Sequence, residues 1–258
     1  MRLMKRILSA AAVLALSASL LVGCSSGTAS SVPVSASSAA ESTVSSVEET
    51  ASSAVDENEA AAAQLLNDLT GSYQELWPVI LADEYKQTWL DVCTALVGED
   101  NAEAAFEKLS SMVTGDVYGE DAVKAYANGG GAYFCGFTNS LATLTFDGET
   151  STISGTDKDG NVLFSHTYHY IGMEPVHGLY EFESDDADSG EFTYFFLAPD
   201  TSAETYHIEF RYGSDAEALS QYDTGEYAYW LASGISTDCD QTMIDNCIEL
   251  FCTENLAG

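Results

Sequence analysis

The chain changes its hydrophobic period about halfway along. From Ala61 to Asp68, Glu84 to Leu96 and Ala102 to Met112, apolar residues recur at three- and four-residue spacing, as in Trp89, Cys93 and Leu96. That spacing lays one apolar stripe along a helix of 3.6 residues per turn, so three helices are predicted, with Gly or Asp at the breaks. Tyr126-Ala-Asn-Gly-Gly-Gly131 closes this section, and beyond it the period becomes two. Short aromatic or β-branched runs predict strands at Ala132 to Phe137, Leu141 to Phe146, Ser151 to Gly155, Val162 to Ile171, Leu179 to Glu183, Phe192 to Leu197 and Tyr206 to Tyr212. Asp147-Gly148, Asp159-Gly160 and Asp188-Ser189-Gly190 supply turns between them. Strands in succession joined by tight turns predict an α+β fold in which an antiparallel meander closes on itself as a β-barrel with flanking helices. Ser214-Asp-Ala-Glu217 reads as a capping box, and Gln241 to Phe251 as a terminal helix with Met243, Ile244, Cys247, Ile248 and Phe251 on one stripe.

The first 60 residues follow neither period. Met1 to Arg6 is basic, Ile7 to Leu20 is apolar, and Leu21-Val22-Gly23-Cys24 is a small-residue cleavage site ending in cysteine. The apolar run is too short for a spanning helix and reads as a signal peptide, residues 1–24. Its end resembles the lipobox of bacterial lipoproteins, in which the cysteine, here Cys24, becomes the lipidated first residue. Residues 25–60 are almost wholly Ser, Ala, Thr, Val and Glu, which cannot bury enough surface to offset ordering entropy, so they read as a disordered linker. Residues 61–258 fit one domain. The chain is thus expected to be exported and lipid-anchored on the extracytoplasmic face, touching the membrane through that anchor only.

Charge narrows the partners. Three of the eight basic residues (Arg2, Lys5, Arg6) lie in the signal peptide and all 41 acids follow it, so removal of that segment takes the net charge from −33 to −36. Nucleic acid is therefore excluded as a partner, because binding it needs clustered Lys and Arg, whereas cations are favoured. Apart from Cys24, five cysteines remain (Cys93, Cys135, Cys239, Cys247, Cys252), an odd number without CxxC spacing, and the residues alone assign them no role.

Candidate chemistry concentrates on the last predicted strand. Tyr206, Ile208, Phe210 and Tyr212 alternate with His207, Glu209 and Arg211, so an imidazole and a carboxylate leave one face two residues apart. Such a pair can share an ion, and a third group from a neighbouring segment would complete a three-ligand site. Asp200, in the preceding turn, is the candidate, with convergence expected at the barrel's mouth. The residues alone also allow a solvated polar face on an edge strand. His166 and His169 are three apart in a strand and face opposite sides, while His177, at a turn, reads as a solvated histidine or a fourth ligand. Asp157-Lys-Asp-Gly-Asn161 lacks the full spacing of a calcium loop and is read as a hairpin turn. No Gly-x-Ser-x-Gly elbow stands between a predicted strand and a predicted helix, there is no phosphate loop, and no enzymatic activity is expected.

Three stretches carry a resemblance to a known family: Gly71-Ser-Tyr-Gln-Glu-Leu-Trp-Pro78, the hairpin from Leu179 to Tyr194, and Phe195 to Gly213, which covers the last predicted strand and the loop before it, continuing through Ser214 to Leu219 and Tyr227-Ala-Tyr-Trp230 into the terminal helix. They resemble the ZinT (YodA) zinc-binding proteins. The resemblance implies a lipocalin-like (calycin) barrel, Zn²⁺ or another divalent transition metal as ligand, and a role in metal uptake with a zinc ABC-transporter solute-binding protein as partner. On its His-x-His pattern His207 takes the first place and Glu209 the second. A further family histidine falls on Asp200 with a two-residue deletion, or on Phe195 if Ala198-Pro199 is aligned instead, which would leave a two-ligand remnant. Carboxylates in place of imidazoles imply a harder site, with less preference for zinc over manganese or weaker binding altogether. The alternatives are a lipocalin-like barrel enclosing a small apolar molecule and a metal-depleted interaction module.

Overall fold

A computed structural model describes residues 57–126, 132–199 and 207–256. The expected signal peptide, lipidation at Cys24 and most of the linker lie outside the described residues. The described part is already helical at residue 57, four residues inside the stretch read as linker, and this helix, α1, continues to 68. Its first five residues are solvent-facing or half-buried, and packing begins at Ala62 and continues through Leu65, Leu66 and Leu69.

Eight strands form one closed barrel, each antiparallel to the next: β1 (Gly71–Glu75), β2 (Thr143–Asp147), β3 (Thr152–Thr156), β4 (Val162–Met173), β5 (Tyr180–Ser184), β6 (Tyr194–Leu197), β7 (His207–Gly213) and β8 (Ala232–Ser236). β8 closes on β1 through Tyr73↔Ser236 and Glu75↔Gly234. The predicted α+β class, with a lipocalin-like up-and-down barrel, is the observed one. Between β1 and β2 the chain makes α2 (Leu76–Ile80), α3 (Lys86–Val97), α4 (Glu99–Val113) and α5 (Glu120–Tyr126), and α6 (Ala216–Leu219) and α7 (Gln241–Leu256) follow β7 and β8. Ala132 to Phe137, predicted as a strand, instead makes isolated bridges at Phe134, to Thr114 and Trp230. The cap of α6 also differs from expectation. Asp215, not Ser214, accepts from the Ala218 backbone N–H at 3.0 Å, while the Ser214 hydroxyl donates to Glu191.

Alternation along the strands separates two cores. The inner one fills the barrel: Phe164, Tyr168, Phe182, Phe195, Phe210, Tyr212 and Trp230 are nearly inaccessible, and their rings stack or meet edge to face, Phe164 on Phe192 at 4.0 Å and Tyr212 on Trp230 at 5.0 Å. The outer core lies between the barrel wall and the helices, where Leu76, Trp77 and Ile80 of α2, Trp89 and Cys93 of α3 and Ile244, Cys247, Ile248, Phe251 and Cys252 of α7 pack near Ile235 of β8. Ile244, Cys247, Ile248 and Phe251 of the predicted α7 stripe face this layer, whereas Met243 is only half-buried and Leu96, read as part of the α3 stripe, is exposed.

Candidate functional site on the outer wall of the barrel

Because β7 pairs with β6 on one side and β8 on the other, it is not an edge strand, and the solvated-edge reading of its polar residues is overturned. Ile208, Phe210 and Tyr212 point into the lumen. His207, Glu209 and Arg211 point outward as alternation requires. They do not reach water freely: Glu209 is 8% exposed and Arg211 is fully buried. His207 and Glu209 sit beneath α2 and α7, and Arg211 beneath the connection that follows β7.

His207 and Glu209 line one narrow cleft between the outer wall, α2 and α7. Leu76, Trp77 and Ile80 form one side of it, and Leu250, Phe251, Cys247 and Glu254 of α7 form the roof. The pair therefore opens onto the outer wall near the start of β7, not onto the lumen as a site at the barrel's mouth would. Two acids face a mostly apolar cleft, a setting that favours a cation over an anion. Burial pushes the Cys247 thiol up to about 12, so it stays protonated near neutral pH.

The third expected donor, Asp200, lies outside the described residues. Among the described residues no three His, Cys, Asp or Glu side chains stand together closely enough to hold a metal ion. The donor chemistry of His207 and Glu209 suits zinc or a related ion as two of three ligands, and a third must come from elsewhere. Phe195, the other aligned position, pairs with Tyr212 and points into the lumen, on the face of the sheet opposite His207 and Glu209.

The remaining histidines separate from this cleft. His166 meets Asp186 and His169 meets Asp185, each at 2.7 Å, from opposite faces of β4 as expected. His177 is not solvated: it is 8% exposed and its ring packs at a tilt against Tyr222, with ring centroids 3.7 Å apart. Glu174, fully buried, accepts from the Val176 and His177 backbone N–H groups at 2.8 and 2.5 Å, with His177 Nδ1 a further 3.5 Å contact. Arg211 lies over the same Tyr222 ring at 4.2 Å. Four residues of strand, roughly 13 Å, separate Arg211 from His207, so this polar cluster and the cleft are distinct places. Asp157 behaves as the hairpin turn predicts, accepting from the backbone N–H groups of Asp159 and Asn161 and from the Asn161 amide, which hold its carboxyl below the usual range.

Glu174 yields a pH prediction. Burial alone would raise its pKa, but hydrogen bonds from His177 and the Val176 backbone outweigh that and leave it below the ordinary 4.5. A depressed carboxyl contributes stability above the unfolded value and loses it as pH falls through the folded one. In urea melts run from about pH 7 to about pH 3, the stability gap between wild type and Glu174→Gln is expected to narrow below the ordinary value. A gap that stays constant across that range would show that the ionised form is not what the fold holds.

The molecule is thus a lipocalin-like α+β barrel with a histidine and a carboxylate set in its outer wall beneath a terminal helix. No family model and no curated protein matches the chain. Two solved structures are similar to it: the crystal structure of the Zn(II)-bound ZinT-like domain of Streptococcus pneumoniae AdcA, at 15% identity and a TM-score of 0.46 over 71% of this chain and 89% of that one, and Zn(II)-bound AdcA from the same organism, at 16% identity and a TM-score of 0.42 over 72% of this chain and 35% of that one. The fold assignment rests on the barrel's own topology.

Sequence reading missed Glu254 and Cys247 as neighbours of His207 and Glu209. Glu254 lies three residues past the predicted end of the terminal helix, and nothing local ties α7 to β7.

Proposed function

We propose that this protein binds a divalent transition metal, with zinc as the leading ion, and carries out no chemistry of its own. His207 and Glu209 are two of the ligands, and Asp200, in the segment leading into β7, is the third, with water completing the shell. The single observation that carries this reading is that an imidazole and a nearly buried carboxylate leave the same face of one fully paired strand and open onto one cleft. Resemblance of the Leu179 to Gly213 stretch to ZinT proteins supports zinc, and the substitution of carboxylates for imidazoles supports weaker discrimination against manganese. Export, anchoring through a lipid on Cys24 and transfer of the ion to a zinc-transporter solute-binding protein complete the proposal, with the acidic surface attracting cations outside the cell.

A small apolar ligand in the lumen is the weaker reading, because stacked rings already occupy the interior and would have to move aside.

The test is calorimetric zinc titration of metal-free protein, with elemental analysis of protein purified without chelator. His207→Ala and Asp200→Ala are each expected to weaken zinc binding at least about tenfold, since a three-ligand site loses a ligand outright. Unchanged affinity in His207→Ala would sink the proposal, and unchanged affinity in Asp200→Ala alone would move the third ligand elsewhere.

A further inference from the structure

Two of the five cysteines left unassigned by the sequence meet inside the outer core. Cys93 of α3 and Cys252 of α7, 159 residues apart in the chain, have their sulfur atoms 3.9 Å from one another. Neither is exposed. Each lies on the buried stripe of its helix: Cys93 is one turn beyond Trp89, and Cys252 one turn beyond Ile248. The two stripes face each other across a close helix pair, joined also by Trp89 and Phe251 with ring centroids 6.0 Å apart.

We propose that Cys93 and Cys252 form a disulfide when the chain folds in the presence of a disulfide-type oxidant, stapling the terminal helix to α3. The sulfurs are in van der Waals contact and need close by only about 2 Å to reach bonding distance. The proposal goes beyond the metal reading and stands whether or not His207 and Glu209 bind an ion.

The chemistry balances as thiol–disulfide exchange. The Cys93 thiolate attacks one sulfur of an oxidised disulfide such as oxidised glutathione, forming a mixed disulfide and releasing one thiolate. The Cys252 thiolate then attacks the Cys93 sulfur and releases the second. Two protein thiols are oxidised, one small-molecule disulfide is reduced to two thiols, and the two protons pass to the leaving thiolates. Timing follows from burial. Burial raises both thiols above their ordinary pKa in the folded protein, which suppresses the reactive thiolates. The bond therefore forms while α7 is docking and the thiols still meet solvent. Once formed, it is shielded from reductant until the helix pair opens.

Refolding the full-length chain in a glutathione redox buffer, blocking free thiols with an alkylating agent and mapping proteolytic peptides without reduction tests this on the wild-type protein. The expected result is a linked peptide joining Cys93 to Cys252, with Cys24, Cys135, Cys239 and Cys247 alkylated. The oxidised protein should melt on the order of 10 °C above the reduced form, because the bond closes a long loop in the unfolded chain. In Cys252→Ala that difference between the two preparations should vanish. Alkylation of both Cys93 and Cys252 after oxidising refolding, or their linkage to other cysteines, would overturn the proposal.

Discussion

Arg211→Leu is expected to lower folding stability by roughly 3–5 kcal/mol, the range for removing one partner from a buried charged pair. Arg211 is the only arginine beyond the expected signal peptide, and it is fully buried. Its guanidinium donates to three backbone carbonyls, those of Leu219, Gln221 and Tyr227, while its plane lies over the Tyr222 ring. Those carbonyls belong to the connection from β7 to β8, which has little regular structure beyond the four residues of α6. One side chain on a rigid strand therefore supplies hydrogen bonds that the connection does not make for itself. Leucine would leave the carbonyls without these donors and the buried Glu174 carboxylate without a nearby positive charge. Urea unfolding followed by tryptophan fluorescence measures the loss. Arg211→Lys tests the geometry: a lysine keeps the charge but cannot fork to several carbonyls, so it should recover less than half of the stability. A leucine variant within about 1 kcal/mol of wild type would mean that the connection is held by other contacts.

What the sequence made legible follows from where local pattern and tertiary environment agree. Six of the predicted strands lie in the barrel because their alternation reports a lumen on one face. β8 escaped notice because Ala232-Ser-Gly-Ile-Ser236 is covered on both faces, and small residues are what that space admits. A side chain at Gly234 would come within 3.0 Å of Ile208. β1 was hidden by its brevity and by running straight into α2 with no turn between. Ala132 to Phe137 shows the reverse error: it has aromatic alternation, but Phe134 is taken up by single bridges to Thr114 and Trp230. At the candidate site, alternation correctly placed His207 and Glu209 on one face, because that inference needs only the strand's period. It could not say that this face is roofed. That depends on α7 folding back over β7, a contact between segments with no shared local signal. His177 was misjudged for the same reason, since its burial comes from Tyr222, 45 positions along the chain.

The roof also sets the second large expectation. Trp89→Ala should lower stability by roughly 3–5 kcal/mol, as for other large-to-small changes in a packed core. Trp89 is fully buried, packs against Phe106 of α4 and Phe251 of α7, and donates from Nε1 to the Ile80 carbonyl at 2.7 Å. That carbonyl belongs to the last residue of α2, so one indole ties α2, α3, α4 and α7 together. Truncation leaves a void and an unsatisfied carbonyl among residues that cannot all collapse inward, since Ile80 and Phe251 are held against the barrel wall. Trp89→Phe separates the two contributions. It keeps most of the ring packing and loses the hydrogen bond, so about 1–2 kcal/mol is expected, most of it from the orphaned carbonyl. Because Ile80 and Phe251 both line the cleft beside His207 and Glu209, the proposed metal site requires that the alanine variant bind zinc more weakly than wild type at temperatures where it remains folded. Calorimetry on the folded variant measures that coupling. Full zinc affinity in a protein destabilised by the expected amount would show that the cleft keeps its shape independently of the helical layer above it.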